Sequence, residues 1–291
     1  PTITSQPSSV VVDVGDKSTL SVTASGSSLK YQWYKDSTAI SGATSSSYSI
    51  SSTAEDDIGT YYVVVSNTSG ETTSDSVTIH VVDSYGRWGG YEQYSGTSTL
   101  SSPVLTVASE NESSIWVTGA GSLTITNGTI TTSGDTSSQD YSSFYGLNAG
   151  VLTTNGTITM TGGTVTTTGT GANGVFACGD NAEADLSNVT INASANGGHG
   201  VMATQGGVIK CTNVDMTTNG ANSGAIATDR GGGTITYTGG TVTTTGSDSP
   251  GIYSTGTITV SGATISATGS EAAVIEGANN ITLSNTTLSG S

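Results

Sequence analysis

The stretch Thr157-Ile158-Thr159-Met160-Thr161-Gly162-Gly163-Thr164-Val165-Thr166-Thr167-Thr168 decides the fold, because it returns in nearly the same form further along the 291-residue chain. It reappears as Thr234-Ile235-Thr236-Tyr237-Thr238-Gly239-Gly240-Thr241-Val242-Thr243-Thr244-Thr245. Ile158 and Met160, two apart, share one face of a strand, and Val165 lies on a second strand beyond a glycine turn. Taking Val165 as an anchor, equivalent residues are Leu105, Ile130, Ile191, Met216, Val242, Ile265 and Leu288, so successive anchors lie 25, 35, 26, 25, 26, 23 and 23 residues apart. Five residues before the anchors run Leu100, Ile125, Met160, Leu186, Cys211, Tyr237, Val260 and Leu283. Seven before, from the second repeat, run Leu123, Ile158, Ala184, Ile209, Ile235, Ile258 and Ile281. Ten after come Ile115, Val175, Val201, Ile226, Ile252 and Ile275, on a third strand. No repeat can bury its apolar row alone, whereas stacked repeats make one continuous core.

The composition agrees. Charged residues are only 10%, glycines number 41, and β-branched residues recur at regular intervals, which favours a turn-rich β fold over disorder. The formal charge of −16, with six Lys and Arg, excludes nucleic acid as a partner, since phosphate binding needs clustered cations. It likewise excludes docking on an anionic membrane, and no apolar run is long enough for direct membrane insertion. Cys178 and Cys211 read as small apolar core residues.

A coil of about 23 to 26 residues with three short strands resembles the right-handed single-stranded parallel β-helix of pectin- and pectate-lyase-like proteins. The expected architecture is all-β, with about eight rungs over residues 98–291 and a Thr-rich outer surface. The second repeat carries about ten extra residues within Thr131 to Gly146, and a rung insertion is a common place for ligand contacts. Asp140, Tyr141, Phe144 and Tyr145 are therefore candidate ligand-binding residues. The last rung closes on Leu288 with its apolar cross-section open, so further repeats or another chain are expected to cover that end.

Residues 1–83 alternate apolar and polar over several short runs, the pattern of an antiparallel sandwich. Trp33 follows Val22 by eleven residues, and Asp57-Ile58-Gly59-Thr60-Tyr61-Tyr62-Val63 comes later. This resembles the immunoglobulin fold, with Tyr61 as the corner tyrosine and Val22 and Val63 standing where that family has its two cysteines. The resemblance implies a disulfide-free Ig-like β-sandwich acting as a spacer. Between the domains, residues 84–97 hold an aromatic cluster expected to cap the stack, and Trp88 and Tyr91 are the candidate sugar-stacking residues there.

The β-helix resemblance raises polysaccharide cleavage. Lyases of that kind need a base beside acidic residues, yet Lys210 points outward and Arg230 lies in a turn. Gly198-His199-Gly200 matches one polygalacturonase segment, but that family's other segments are missing and the repeat itself accounts for the match. Asp180, Glu183 and Asp185 form a candidate oxygen site for calcium, though without the spacing of a known loop. Ice binding is set aside because Thr-X-Thr does not read as constant on one face. The favoured expectation is a non-enzymatic, adhesin-like protein, secreted or on the cell surface, that binds a glycan or a host or partner surface protein. The alternative is a polysaccharide lyase or glycoside hydrolase.

Overall fold

The computed structural model describes residues 1–82 and 90–291. The chain separates into two compact units, residues 1–84 and 85–291.

In the first unit, Lys30–Lys35 pairs antiparallel with Gly59–Asn67, which also pairs with Val77–Val82 and Gly70–Thr73. Val10–Asp13 joins the edge of that sheet in parallel, and Ser18–Ser21 pairs with Ser47–Ile50 in another. The alternation seen in the sequence is realised as burial: Leu20, Val22, Trp33, Tyr61, Val63 and Val65 face the core. Trp33 lies opposite Val63 in the ladder and donates its indole N–H to Ser45 O at 2.9 Å. The Tyr61 hydroxyl donates to Asp57 O at 2.7 Å, so a large buried side chain has its polar tip satisfied four residues upstream. Val22 and Val63 fill the space between the layers with no sulfur.

The second unit is a parallel solenoid of eight rungs. Rung four shows the plan: Val175–Cys178, then Ala182–Ser187, then Thr190–Ala193. Each segment pairs in parallel with its equivalents in rungs three and five. First segments of all rungs make an eight-stranded sheet; second and third segments make a fourteen-stranded one, where rungs two and three run unbroken as Gly121–Thr132 and Gly156–Thr167. The columns read from the sequence line the interior, and most of their members are fully buried in one cluster; Ile275 is the exception in register, since Ala273 stands across from Ile252 and Ile275 pairs with Ser254.

The turn between second and third segments explains the scatter of Asn and Gly. Its first residue is Ser102, Asn127, Gly162, Asn188, Asn213, Gly239, Gly262 and Asn285 in rungs one to eight, and φ lies between 48° and 70° at each. Left-handed backbone strongly favours Gly and tolerates Asn, so the position is conformationally dictated eight times over.

One expectation needs correction. Gly90–Tyr94 does not sit over the stack as a separate cap; it pairs with Ser113–Val117 as the first segment of rung one, which also holds Thr97–Ser101 and Val104–Val107. Its alternation explains this, because Tyr94 takes the inward register of Val117 and packs on the core. Asp83 to Gly89 of the same cluster, Trp88 among them, lie outside the described residues. Hydroxyl ladders run along the Thr-rich outer surface. On the outer face of second segments one column reads Ser101, Thr126, Thr161, Ser187, Thr212, Thr238, Ser261 and Ser284, a hydroxyl in every rung. The column beside it is Thr in six rungs and is broken only by Asp185 and Lys210. Thr-X-Thr itself holds only in rungs two, three and six, with Thr-X-Ser in rungs one, seven and eight, so it is not constant on this face.

Candidate functional site

The eight-stranded sheet differs from the rest of the surface. Its outward column runs Gln93, Trp116, Leu152, Phe176, Met202, Ala227, Tyr253 and Val274, apolar in all but the first rung. Trp116, Leu152, Phe176, Met202 and Ala227 are all buried, although none belongs to the interior cluster. The insertion supplies part of the cover. Residues Gln139–Tyr145 form a short helix, α1, capped by Ser138 at its start and by Gly146 in the left-handed conformation at its end. It rests on Val175–Cys178 and Val201–Thr204. A Cβ on Gly146 would come within 2.6 Å of the Phe176 ring, so only glycine lets the chain pass there.

Buried polar contacts fix the insertion. Ser142 Oγ lies 2.9 Å from Leu147 O and 3.0 Å from Asn148 Oδ1, and hydrogen-bonds Gly171 O. Asn148 donates to Gly134 O at 2.9 Å and Asn173 donates to Ser142 O at 3.0 Å. On α1, Asp140 and Tyr141 are exposed, and the Tyr141 and Tyr145 rings meet edge-on at 5.8 Å. Phe144 turns toward the sheet, where the Arg230 guanidinium covers its ring at 3.9 Å. Tyr91 is half-exposed on rung one, three rungs from the nearest strand under α1, so these candidates do not form one cleft.

The calcium candidates do not converge. Asp180 lies in the turn before Ala182–Ser187, and Glu183 is ion-paired with Lys210 on the exposed outer face. The pairing holds the Lys210 ammonium above its ordinary pKa. Among the described residues no three His, Cys, Asp or Glu side chains are grouped to hold a metal. In-register stacking is the reason, because it gives Glu183 and Asp185 a lysine neighbour on the next rung.

A cavity of about 260 Å³ opens on rungs five to seven, lined by His199, Asn222, Gly224, Asp229, Asp248, Pro250 and Tyr253. His199 is 91% buried by its neighbours, being 9% exposed, and its Nδ1 lies 3.0 Å from Gly224 O. As donor to that carbonyl, the neutral ring leaves Nε2 as an acceptor. Burial pushes the His199 pKa below its usual value, against the opposing effects of the Gly224 bond and the Asp229 charge. Tyr253 has its hydroxyl pushed up to about 12 by burial, with the hydrogen bond and charge of Glu276 adding to it. Asp229 Oδ1 accepts from the Arg230 backbone N–H at 2.7 Å, while the Arg230 side chain reaches Phe144 and links the cavity rim to α1.

Sequence reasoning noticed His199 and Arg230 separately but not this grouping. A usable signal exists: Tyr253 directly follows the buried Ile252, Asp229 lies three past Ile226, and Asp248 lies four before Ile252. Counting from the third-strand column would have placed them on adjoining rungs.

A family described as "Immunoglobulin domain" matches residues 1–67. The N-terminal domain is immunoglobulin-like. Its pairing pattern and the Tyr61–Asp57 corner bond agree with that match. Solved structures similar to it include tandem Ig repeats of Dlar, at 24% identity and TM-score 0.26, covering 28% of this chain and 47% of that one. The titin M3 domain is 22% identical at TM-score 0.24, covering 27% of this chain and 93% of that one. The N-terminal Ig1-2 module of Drosophila receptor protein tyrosine phosphatase DLAR is 25% identical at TM-score 0.26, over 28% and 47%. The chain thus spans about half of the Dlar and DLAR structures it matches. No curated protein sequence matches the chain. Ig-like domains are typical of extracellular or surface proteins, and among the described residues no helix is long and apolar enough to cross a membrane.

Proposed function

We propose that the chain is a non-enzymatic, adhesin-like protein of the secreted or cell-surface space, binding a glycan through the outer side of its eight-stranded sheet. The Ig-like domain serves as a spacer. The observation that carries this reading is the cavity beside α1, where Asn222, Asp229, Asp248, His199 and the Tyr253 ring converge on rigid rungs. Sugars present hydroxyls to such acceptors and an apolar C–H face to such a ring. Exposed Asp140 and Tyr141 extend the polar and aromatic surface along α1. Calcium enters only as a bridge supplied with the ligand, since the carboxylates are not grouped as a metal site.

A glycan array with the intact chain, with and without calcium, tests this. Retention of a defined glycan class that Tyr253→Ala and Asn222→Ala both weaken is the expected result. Binding untouched by either variant would move the site elsewhere. The alternative, a polysaccharide-cleaving enzyme, draws on Asp229 and Asp248 lining one cavity, because glycoside hydrolysis uses two carboxylates. Release of reducing ends from pectins or alginates, abolished by Asp248→Asn, would favour that reading over the first.

A further inference from the structure

We propose that the cavity on rungs five to seven is a subsite for an amino sugar, whose primary ammonium group sits between Asp229 and Asp248. The inference deepens the glycan-binding reading and rests on it.

The functional groups lining the cavity are chiefly acceptors. Asp229 and Asp248 bring two carboxylates, and among the described residues no lysine or arginine lines the space. The nearest cation in sequence, Arg230, spends its guanidinium on the Phe144 ring. His199 adds a further acceptor rather than a donor: with Nδ1 tied to Gly224 O, the neutral ring has its acceptor at Nε2, and the residue is among those lining the cavity. Asp229 has one local backbone bond, from Arg230 N, which leaves most of its lone pairs available. A carboxylate-bearing or sulfated sugar would meet two like charges with nothing to offset them, inside a chain of formal charge −16. A neutral sugar would satisfy the acceptors but leave the negative charge uncompensated.

A divalent cation is the other way to meet two carboxylates, but the described side chains here do not form a group of three ligands. An ammonium group needs no such geometry, because it is a compact donor of three hydrogen bonds. The volume of about 260 Å³ suits one sugar ring rather than a folded peptide. Tyr253 gives that ring an aromatic neighbour, and its hydroxyl is hydrogen-bonded to Glu276. Charge-assisted bonds to carboxylates are roughly twice as strong as neutral ones, so the amine is what the site can discriminate.

The test uses the full chain and four probes in calorimetric titrations: trimers of glucosamine, N-acetylglucosamine and galacturonic acid, and a lysine-containing tripeptide. The glucosamine trimer should bind at least about tenfold more tightly than its acetylated form, with the galacturonate trimer silent. Asp229→Asn with Asp248→Asn keeps side-chain shape and should remove that preference, while circular dichroism confirms the fold. The His199 ring protons should shift in NMR spectra on titration with glucosamine trimer and not with galacturonate. Equal binding of the acetylated and free-amine trimers, or a preference that survives both Asp→Asn changes, would overturn the amine assignment and leave glycan binding standing. A tripeptide as tight as the glucosamine trimer would overturn the sugar assignment. Silence of every sugar, here and on the array, would overturn both readings together.

Discussion

At Asn213 the backbone holds φ at 51°, and the same turn position in the neighbouring rungs is Asn188 and Gly239. An alanine there would carry a Cβ into left-handed backbone, a conformation that costs roughly 1 kcal/mol or more outside Gly and Asn. Asn213→Ala should therefore lower solenoid stability by about 1 kcal/mol in urea unfolding, whereas Asn213→Gly should stay within a few tenths. Equal losses from both would mean that the Asn side chain, not its backbone, is what the turn needs. His199 makes a second residue-level case. Buried and neutral, with its folded pKa below the ordinary 6.5, it binds fewer protons folded than unfolded at mildly acidic pH. Its contribution is intact above about pH 6.5 and is lost as pH falls below that value toward the folded pKa. Unfolding followed from about pH 7.5 down to 5 should show the decline, and His199→Gln should flatten it. A variant as acid-sensitive as the parent would assign the effect to other groups. His199 also shows what a motif conceals. Gly198-His199-Gly200 looked like part of an enzyme signature, yet the flanking Gly200-Val201 pairs through the same ladder as every other rung.

Among the elements, the rung strands were legible because burial repeats them: four apolar columns of six to eight members leave little room for another register. Helix α1 was not legible beyond its length. Seven residues are too few for a 3.6-residue periodicity to show, and Gln139–Tyr145 forms through its caps and its seat rather than its own propensity. The outer apolar column of the eight-stranded sheet was missed for a related reason. Trp116, Leu152, Phe176 and Met202 each directly follow an inward residue, so both faces of that strand are apolar and the alternation disappears. An apolar face on a solvent-facing sheet needs cover, and α1 provides it over rungs four and five. Ser142 is where that cover is fastened: its hydroxyl is buried among Leu147 O, Asn148, Gly171 O and the Asn173 amide. Ser142→Ala leaves those groups short of a partner and should cost about 1 to 3 kcal/mol. It should also raise hydrogen exchange in α1 ahead of the rungs beneath, because the helix has few contacts of its own. Uniform exchange across α1 and Val175–Cys178 would show that helix and sheet open as one unit.

For the whole molecule, the consequence of a stacked design is that its ends differ from its middle. Val260 and Ile265 in rung seven are fully buried, whereas Leu283 and Leu288, the next members of the same columns, are 41% and 38% exposed. Ile275, which stands across from the buried Ser254 in the last strand of the eight-stranded sheet, is 49% exposed. Beside them the final segments Ala273–Ile275, Asn280–Ser284 and Thr287–Ser289 each have a paired edge and, among the described residues, an unpaired one. An open ladder with core side chains along it accepts whatever strand is offered in register. In a solution of the 291-residue chain, the strand most available is the same end of a second copy. The chain should therefore self-associate with rising concentration in sedimentation velocity, and Leu283→Lys with Leu288→Lys should shift it toward monomer. Lysine acts twice here, through repulsion between the two ends and through the cost of desolvating its charge against Val260 and Ile265. The first seven rungs lie inward of both substitutions, so unfolding of the monomer should change little. A parent chain that stays monomeric at every concentration would show that the end face is quiet despite its exposed leucines. A double-lysine variant that associates as the parent does would place the contact on another surface, with the Tyr34–Tyr62 stack on the Ig-like domain, rings 4.9 Å apart, the next to examine.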